Sequence, residues 1–241
     1  MTTLARITIA LILAILFSSC GFDIDFGSGK KGNGIVQKEN RTVTGDFNAV
    51  SASEGLNVYI TQGGEFKILV EADENVIDLI ATDQKNGSLR IHSIENIANA
   101  TKNIYVTLPK VTALEASSGA NLISQNTIRT ETIDLNASSG AKLEITELRA
   151  EKINADSSSG ADIRIGGETK ALLSKASSGS GIRANDLIAN ECRADASSGA
   201  RISVNVTGSL VAEASSGGNI QYTGTAKVEK NNSIAGSINQ F

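Results

Sequence analysis

The sequence predicts an all-β chain wound as a single-stranded parallel β-helix, with about 20 residues per rung. Three observations predict it. Ser-Ser-Gly recurs six times between residues 117 and 217, and its glycines are Gly119, Gly140, Gly160, Gly179, Gly199 and Gly217, spaced 21, 20, 19, 20 and 18 apart. Around each copy, alternate positions are apolar or small, the period of a strand with one buried face. The chain carries 23 Gly but one Pro, so turns are frequent and strand breakers rare.

The first 19 residues read as an address. Arg6 is a short positive region, and Ile7 to Phe17 is an apolar stretch of signal-peptide length, too short for a comfortable membrane span. Phe17-Ser18-Ser19-Cys20 resembles a bacterial lipobox, which implies cleavage before Cys20 and lipidation of its thiol. Cys20 is thus the predicted lipidation site and the predicted contact with the membrane. Residues 20–34, rich in Gly and Ser with Lys30-Lys31, are expected to be a flexible linker.

The β-helix domain is expected over residues 35–241, irregular over 35–111 and regular over 112–241. In the first part, Val58 and Ile60, then Phe66, Ile68 and Val70, alternate with polar neighbours around Gly63-Gly64. Val76, Ile77 and Ile80 break that alternation, so a short helical turn is expected near 74–81 with Asp73 as its cap. Strands are expected at Ser88–His92, after the Asn86-Gly87 turn, and at Asn103–Leu108, before Pro109.

Several of these stretches carry a family resemblance. They are Asp46-Phe47-Asn48-Ala49-Val50, Ser53-Glu54-Gly55, Ala72 to Asp78, Val106-Thr107-Leu108-Pro109, and the repeated Ala-Ser-Ser-Gly. In this order they resemble the DUF2807 family, the auto-transporter adhesin head GIN domain, found in lipoproteins of Bacteroidetes-type bacteria. The resemblance implies a β-helical fold and an adhesin-like role. It supplies no catalytic residues.

The regular rungs align on the Ser-Ser-Gly glycine, a residue suited to a sharp corner. Gly119, Gly140, Gly160, Gly179, Gly199 and Gly217 are therefore the predicted structural corners. Three after each stand Leu122, Leu143, Ile163, Ile182, Ile202 and Ile220, and three before stand Ala116, Ala137, Ser157, Ala176, Ala196 and Ala214. These columns are expected inside. The second Ser of each copy has the same phase, so its hydroxyl is expected to face inward and bond along the stack. Polar columns are expected outside: Asn121, Lys142, Asp162, Gly181, Arg201 and Asn219 two after the glycine, and Glu144, Arg164 and Arg183 four after. Glu144 is expected to pair with the arginines above it, and Lys175 with Asp156 and Asp195. A degenerate last rung, Ser233 to Ile238, is expected with its corner at Gly236. Asn231, Asn232 and Phe241 are expected to cap it.

The chemistry-bearing residues are few. His92 is the only His, and the two Cys are 20 and 192, so a Cys/His zinc cluster within one chain is excluded. Cys192 falls in an inner column. The formal charge of −4 gives no electrostatic reason to expect nucleic acid. Aromatic residues are 4% and Trp is absent, which leaves room for only a small sugar-stacking platform. No cofactor is expected. The reading is a lipid-anchored cell-envelope module, outer membrane with its face open, that binds a glycan or a cell-surface protein without catalysis. The alternatives are a polysaccharide-active β-helix enzyme, which needs paired carboxylates, and a structural or envelope-stress protein.

Overall fold

A computed structural model describes residues 29–233 and 235–241. The signal segment and Cys20 lie outside the described residues. Seventeen strands follow one another: β1 (Val36–Arg41), β2 (Ala49–Ala52), β3 (Asn57–Gln62), β4 (Lys67–Asp73), β5 (Ile80–Lys85), β6 (Ser88–Ser93), β7 (Lys102–Leu108), β8 (Ala113–Ala116) and β9 (Asn121–Ser124). The long strands β10 (Ile128–Ala137), β11 (Lys142–Ser157), β12 (Asp162–Ala176), β13 (Gly181–Ala196) and β14 (Arg201–Ala214) come next, then β15 (Asn219–Thr223), β16 (Lys227–Asn232) and β17 (Ser237–Gln240). From β8 onward every rung pairs in parallel with the next, so the predicted β-helix is what the chain forms.

Each Ser-Ser-Gly is a corner, and its backbone explains the motif. Gly119, Gly140, Gly160, Gly179, Gly199 and Gly217 all have positive φ, at 74°, 71°, 72°, 71°, 75° and 79°. The serine before each is left-handed too, beginning with Ser118 at φ 48°. The corner therefore takes two residues, where the sequence marked only the glycine. The N–H of Ala120 closes the first turn on the Ser117 carbonyl at 3.0 Å. Two consecutive residues with positive φ are the mark of a type I′ turn, where glycine sits without a Cβ penalty. The corners also bond to one another. The Gly119 N–H donates to the Ser139 carbonyl of the next rung (3.0 Å), Gly140 to Ser159 (3.1 Å), and Gly199 to Ser216 (3.1 Å).

The second serines do not face inward. All six are exposed, because a left-handed residue interrupts strand alternation and turns its Cβ outward. The stack is joined there by backbone bonds, not by hydroxyls. Two of the serines that do enter the core bond the main chain, Ser157 Oγ donating to the Ala161 carbonyl (3.0 Å) and Ser180 Oγ to the Ser157 carbonyl (2.7 Å), whereas the hydroxyls of buried Ser124 and Ser174 have no partner among the described residues.

The columns three before and three after the corner are buried in all six rungs, as their period demands. Leu or Ile on one side meets a small residue on the other, Ala in five rungs and Ser157 in one, which keeps the coil narrow at the corner. A third ladder runs through Ile128, Leu148 and Gly167, so the coil has three sides from β10 on.

The first half winds out of order. The rung made of β2 and β3, with its own left-handed corner at Glu54 and Gly55, lies between two others. On one side β2 pairs with β6 and β3 with β7; on the other, β2 pairs with β8 and β3 with β9. The chain therefore lays down an inner rung, passes outward through β4 and β5, adds the outer rung β6–β7, and crosses back to β8. β4 runs antiparallel to β7 and to β1, and β5 antiparallel to β6. These antiparallel strands cover the parallel edge at this end.

Contacts begin before residue 35. The Lys30 N–H donates to the Asn96 carbonyl (2.8 Å) and Gly32 to that of Asn99 (3.0 Å). The helical turn is a short 3-10 segment, Ile77–Leu79, and Asp73 does not cap it through its side chain. Asp73 is buried and accepts from the Val76 N–H through its main-chain carbonyl instead.

The far end differs from expectation in two ways. Ser237 pairs with Asn219 and Ile238 with Ile220, so Ala235 stands at the register of Gly217 and is the left-handed residue there (φ 68°), one position before Gly236. Phe241 is 90% exposed and covers little. The capping is done by Lys230, which follows Ala212 in an inner column. Its Nζ lies 5.0 Å from the Tyr222 ring centroid and donates to the Ile238 carbonyl. An exposed lysine laid over the open end of an inner column blunts a strand edge against further pairing.

Candidate functional site

The unbroken outer face of the strand series β4–β7–β3–β9–β11–β12–β13–β14–β15 holds the candidate site. Two outward columns run along it. One reads Leu69, Tyr105, Tyr59, Ile123, Glu144, Arg164, Arg183, Ser203, Gln221. Its neighbour reads Glu71, Asn103, Asn57, Asn121, Lys142, Asp162, Gly181, Arg201, Asn219.

At the start of the first column, Tyr59 and Tyr105 stack at 5.0 Å with an interplanar angle of 17°. Both are half-buried, between Leu69 and Ile123, so they form an apolar ridge with phenol hydroxyls along it. Beside them runs an amide ladder. Asn121 Nδ2 donates to Asn57 Oδ1 (2.9 Å), Asn57 Nδ2 to Asn103 Oδ1 (3.2 Å), and Asn103 Nδ2 to Glu71 Oε2 (3.3 Å).

Glu71 terminates the ladder. It also accepts from Tyr105 OH (3.0 Å) and pairs with Lys38 Nζ (3.0 Å). The Lys38 bond, with those from Asn103 and Tyr105, holds its carboxyl below the ordinary value of 4.5. Burial, reinforced by the Glu71 charge, raises Tyr105 above the ordinary phenol value.

Further along, the second column loses its side chain at Gly181, between Asp162 and Arg201. A groove of about 350 Å³ opens there, bordered by the corners Gly160 and Gly179 and lined by Asp162, Arg183, Arg201, Ser203, Asn219 and Gln221. Arg183 donates to Asp162 Oδ2 at 3.2 Å. Arg201 is exposed and has no ion-pair partner among the described residues.

The in-column ion pairs expected from the sequence do not form. Arg164 turns to Asp186 (3.1 Å) and Arg183 to Asp162, while Glu144 and Lys175 take no ion-pair partner among the described residues. Arg164 and Arg183 are stacked neighbours, and like charges in one column separate by reaching sideways to different carboxylates. Elsewhere, His92 Nε2 lies 2.9 Å from Asp83 Oδ2 on the β5–β6 hairpin, away from this face. Cys192 is buried in its inner column, and burial pushes its thiol up to about 12.

The six corner glycines divide by position. Gly160 and Gly179 border the groove and shape it. Gly119, Gly140, Gly199 and Gly217 do not line it; they turn the chain and take part in the corner-to-corner backbone bonds. None of the six brings a side chain to the face.

Sequence reasoning placed Arg183, Arg201 and Asp162 outside but missed both tyrosines. The signal for them was the matched strands Asn57-Val58-Tyr59-Ile60 and Asn103-Ile104-Tyr105-Val106, whose identical spacing marks one register.

Comparison with known proteins agrees with this architecture. Residues 46–226 match the family model described as "Putative auto-transporter adhesin, head GIN domain", DUF2807. A search of curated proteins gave no match. Among solved structures, a protein described as a putative adhesin from Bacteroides fragilis superposes with TM-score 0.78 at 22% identity, covering 88% of this chain and 100% of its own. A putative lipid binding protein from Parabacteroides distasonis gives 0.73 at 18%, covering 88% and 98%. A putative adhesin from Parabacteroides merdae gives 0.70 at 18%, with the same coverage. With three quarters of its length matched by that model and the solenoid shared with these structures, the chain belongs to the DUF2807 adhesin-head family.

Proposed function

We propose that this protein is a non-catalytic, adhesin-like module of the cell envelope that binds glycan chains along the tyrosine–arginine face. The carrying observation is the continuity of that face. From Tyr59 to Arg183 it spans four rung spacings, about 19 Å at ~4.8 Å each, with no strand interrupting it. One rung rises by nearly the length of a pyranose residue in an extended chain. An apolar ridge with hydroxyls, amides beside it and guanidinium groups further along suits a ligand with alternating apolar and hydroxylated edges. The family description and the adhesin neighbours support the non-catalytic reading.

Binding to an oligosaccharide array, followed by mass spectrometry of the bound chains, tests this. Retention of unshortened oligosaccharides is expected. Shortened chains would establish a polysaccharide-active enzyme. Capture of proteins or lipids with no oligosaccharide bound would refute the glycan reading.

Attachment to the membrane through Cys20 is part of the same proposal, supported by the lipobox-like Phe17-Ser18-Ser19-Cys20. Acyl labelling of the wild-type protein and its loss in Cys20→Ala are expected. Persistent labelling would refute the anchor.

A further inference from the structure

We infer that the groove at Gly181 is a subsite for a carboxylate-bearing sugar, such as a uronic acid. This rests on the glycan reading above and narrows it. Gly181 is the one residue without a side chain in a column that otherwise carries Glu71, asparagines, Lys142, Asp162 and Arg201. The omission makes the groove, between the carboxylate of Asp162 on one side and the long side chain of Arg201 on the other. Asp162 has already moved into part of that space: a Cβ on Gly181 would sit 2.5 Å from Asp162 Oδ1.

The groups around the opening differ in what they have left to offer. Arg183 uses one N–H on Asp162, and Arg201 uses none on a carboxylate among the described residues. A free guanidinium on a groove wall is matched to a planar carboxylate, which accepts two parallel N–H bonds. Asp162 Oδ1 lies on the opposite side and accepts from sugar hydroxyls. Ser203 and Gln221 extend the polar wall toward the last rungs. Asp162 and Arg201 flank Gly181 on either side in the column, and both line the groove. That polarity selects a ligand with a carboxylate at one edge and hydroxyls at the other, and it disfavours a bare dianion.

The test is calorimetric titration of the protein with tetramers of galacturonate and glucuronate, with their methyl esters, and with neutral hexose tetramers. Tight binding of an acidic tetramer, weakened about tenfold or more on esterification, is expected. Gly181→Ala should weaken the acidic tetramer by a similar factor and leave the melting temperature unchanged, since the new methyl meets only the movable end of Asp162. Arg201→Gln, on the exposed surface, should do the same and carries the test if Gly181→Ala fails to fold. Equal affinity for acid and ester, or acid binding untouched by both variants, overturns the subsite and leaves the glycan reading standing. Absence of binding by every oligosaccharide overturns both.

Discussion

Tyr59 and Tyr105 stack ring on ring at 5.0 Å, on strands made neighbours by a rung inserted out of sequence order. The pair therefore reports on two things at once, the topology of the N-terminal half and the integrity of the proposed binding face. Such pairs contribute about 0.5–1.5 kcal/mol beyond their burial. Tyr59→Ala and Tyr105→Ala should each lower stability in urea denaturation, and a double-mutant cycle should return a coupling of about 1 kcal/mol. Both variants should also weaken oligosaccharide binding.

The corner geometry predicts an unusual substitution pattern. Ser159 sits at φ 50° before Gly160, whose own φ is 72°. Asn-Gly is the preferred pair for two left-handed residues. Ser159→Asn should leave the melting temperature unchanged or raise it slightly. Ser159→Val should cost about 1–2 kcal/mol, because a β-branched side chain is strained there. If the second serine were an inward, hydroxyl-bonding residue, the asparagine would be the damaging change of the two.

Ser174 is fully buried between Ala155 and Ala194, and its Oγ has no hydrogen-bond partner. Burying an unpaired hydroxyl costs about 1–3 kcal/mol. Ser174→Ala, which restores the residue found above and below, should therefore stabilise the solenoid by about 1 kcal/mol. Chemical denaturation with an unchanged m-value would measure it.

Glu71 makes stability depend on acid. Its folded-state pKa lies below the ordinary 4.5 because of Lys38, Asn103 and Tyr105. As pH falls, the unfolded chain takes up the proton first, so Glu71 contributes fully above about pH 4.5 and loses that contribution as pH drops through its folded value. Thermal melts across this window should show wild type losing its advantage over Glu71→Gln on acidification. Parallel curves for the two would contradict the role assigned to Glu71.

The repeats were legible because each rung needs a left-handed glycine at the same place, and the buried columns because strands alternate. What failed did so for local reasons. The alternation was carried one residue too far, through Ser118 and its counterparts, where positive φ ends it. The last corner fell one residue early, because Ala235 accepts the backbone angle that glycine holds elsewhere. Long-range order in residues 35–111 was illegible for another reason. No Ser-Ser-Gly repeats there, and the two matched strands at 57–60 and 103–106 mark a shared register but not the winding, in which the inserted rung is held by pairings such as Val58 with Ile104 on one side and Leu122 on the other. The tyrosine ridge was lost with it. The groove was hidden in plain view, since Gly181 reads as one more glycine until its neighbours are known to be Asp162 and Arg201.

Glycan binding along the tyrosine–arginine face is open to a single titration. Backbone amide NMR shifts should be followed while an oligosaccharide selected from the array is added to isotope-labelled protein. Shifts concentrated on Tyr59, Tyr105, Ile123, Arg183 and Arg201 are expected, with the sugar signals unchanged in chain length. Shifts concentrated on the opposite series, β6–β2–β8–β10, or the appearance of new reducing-end signals, would contradict this reading.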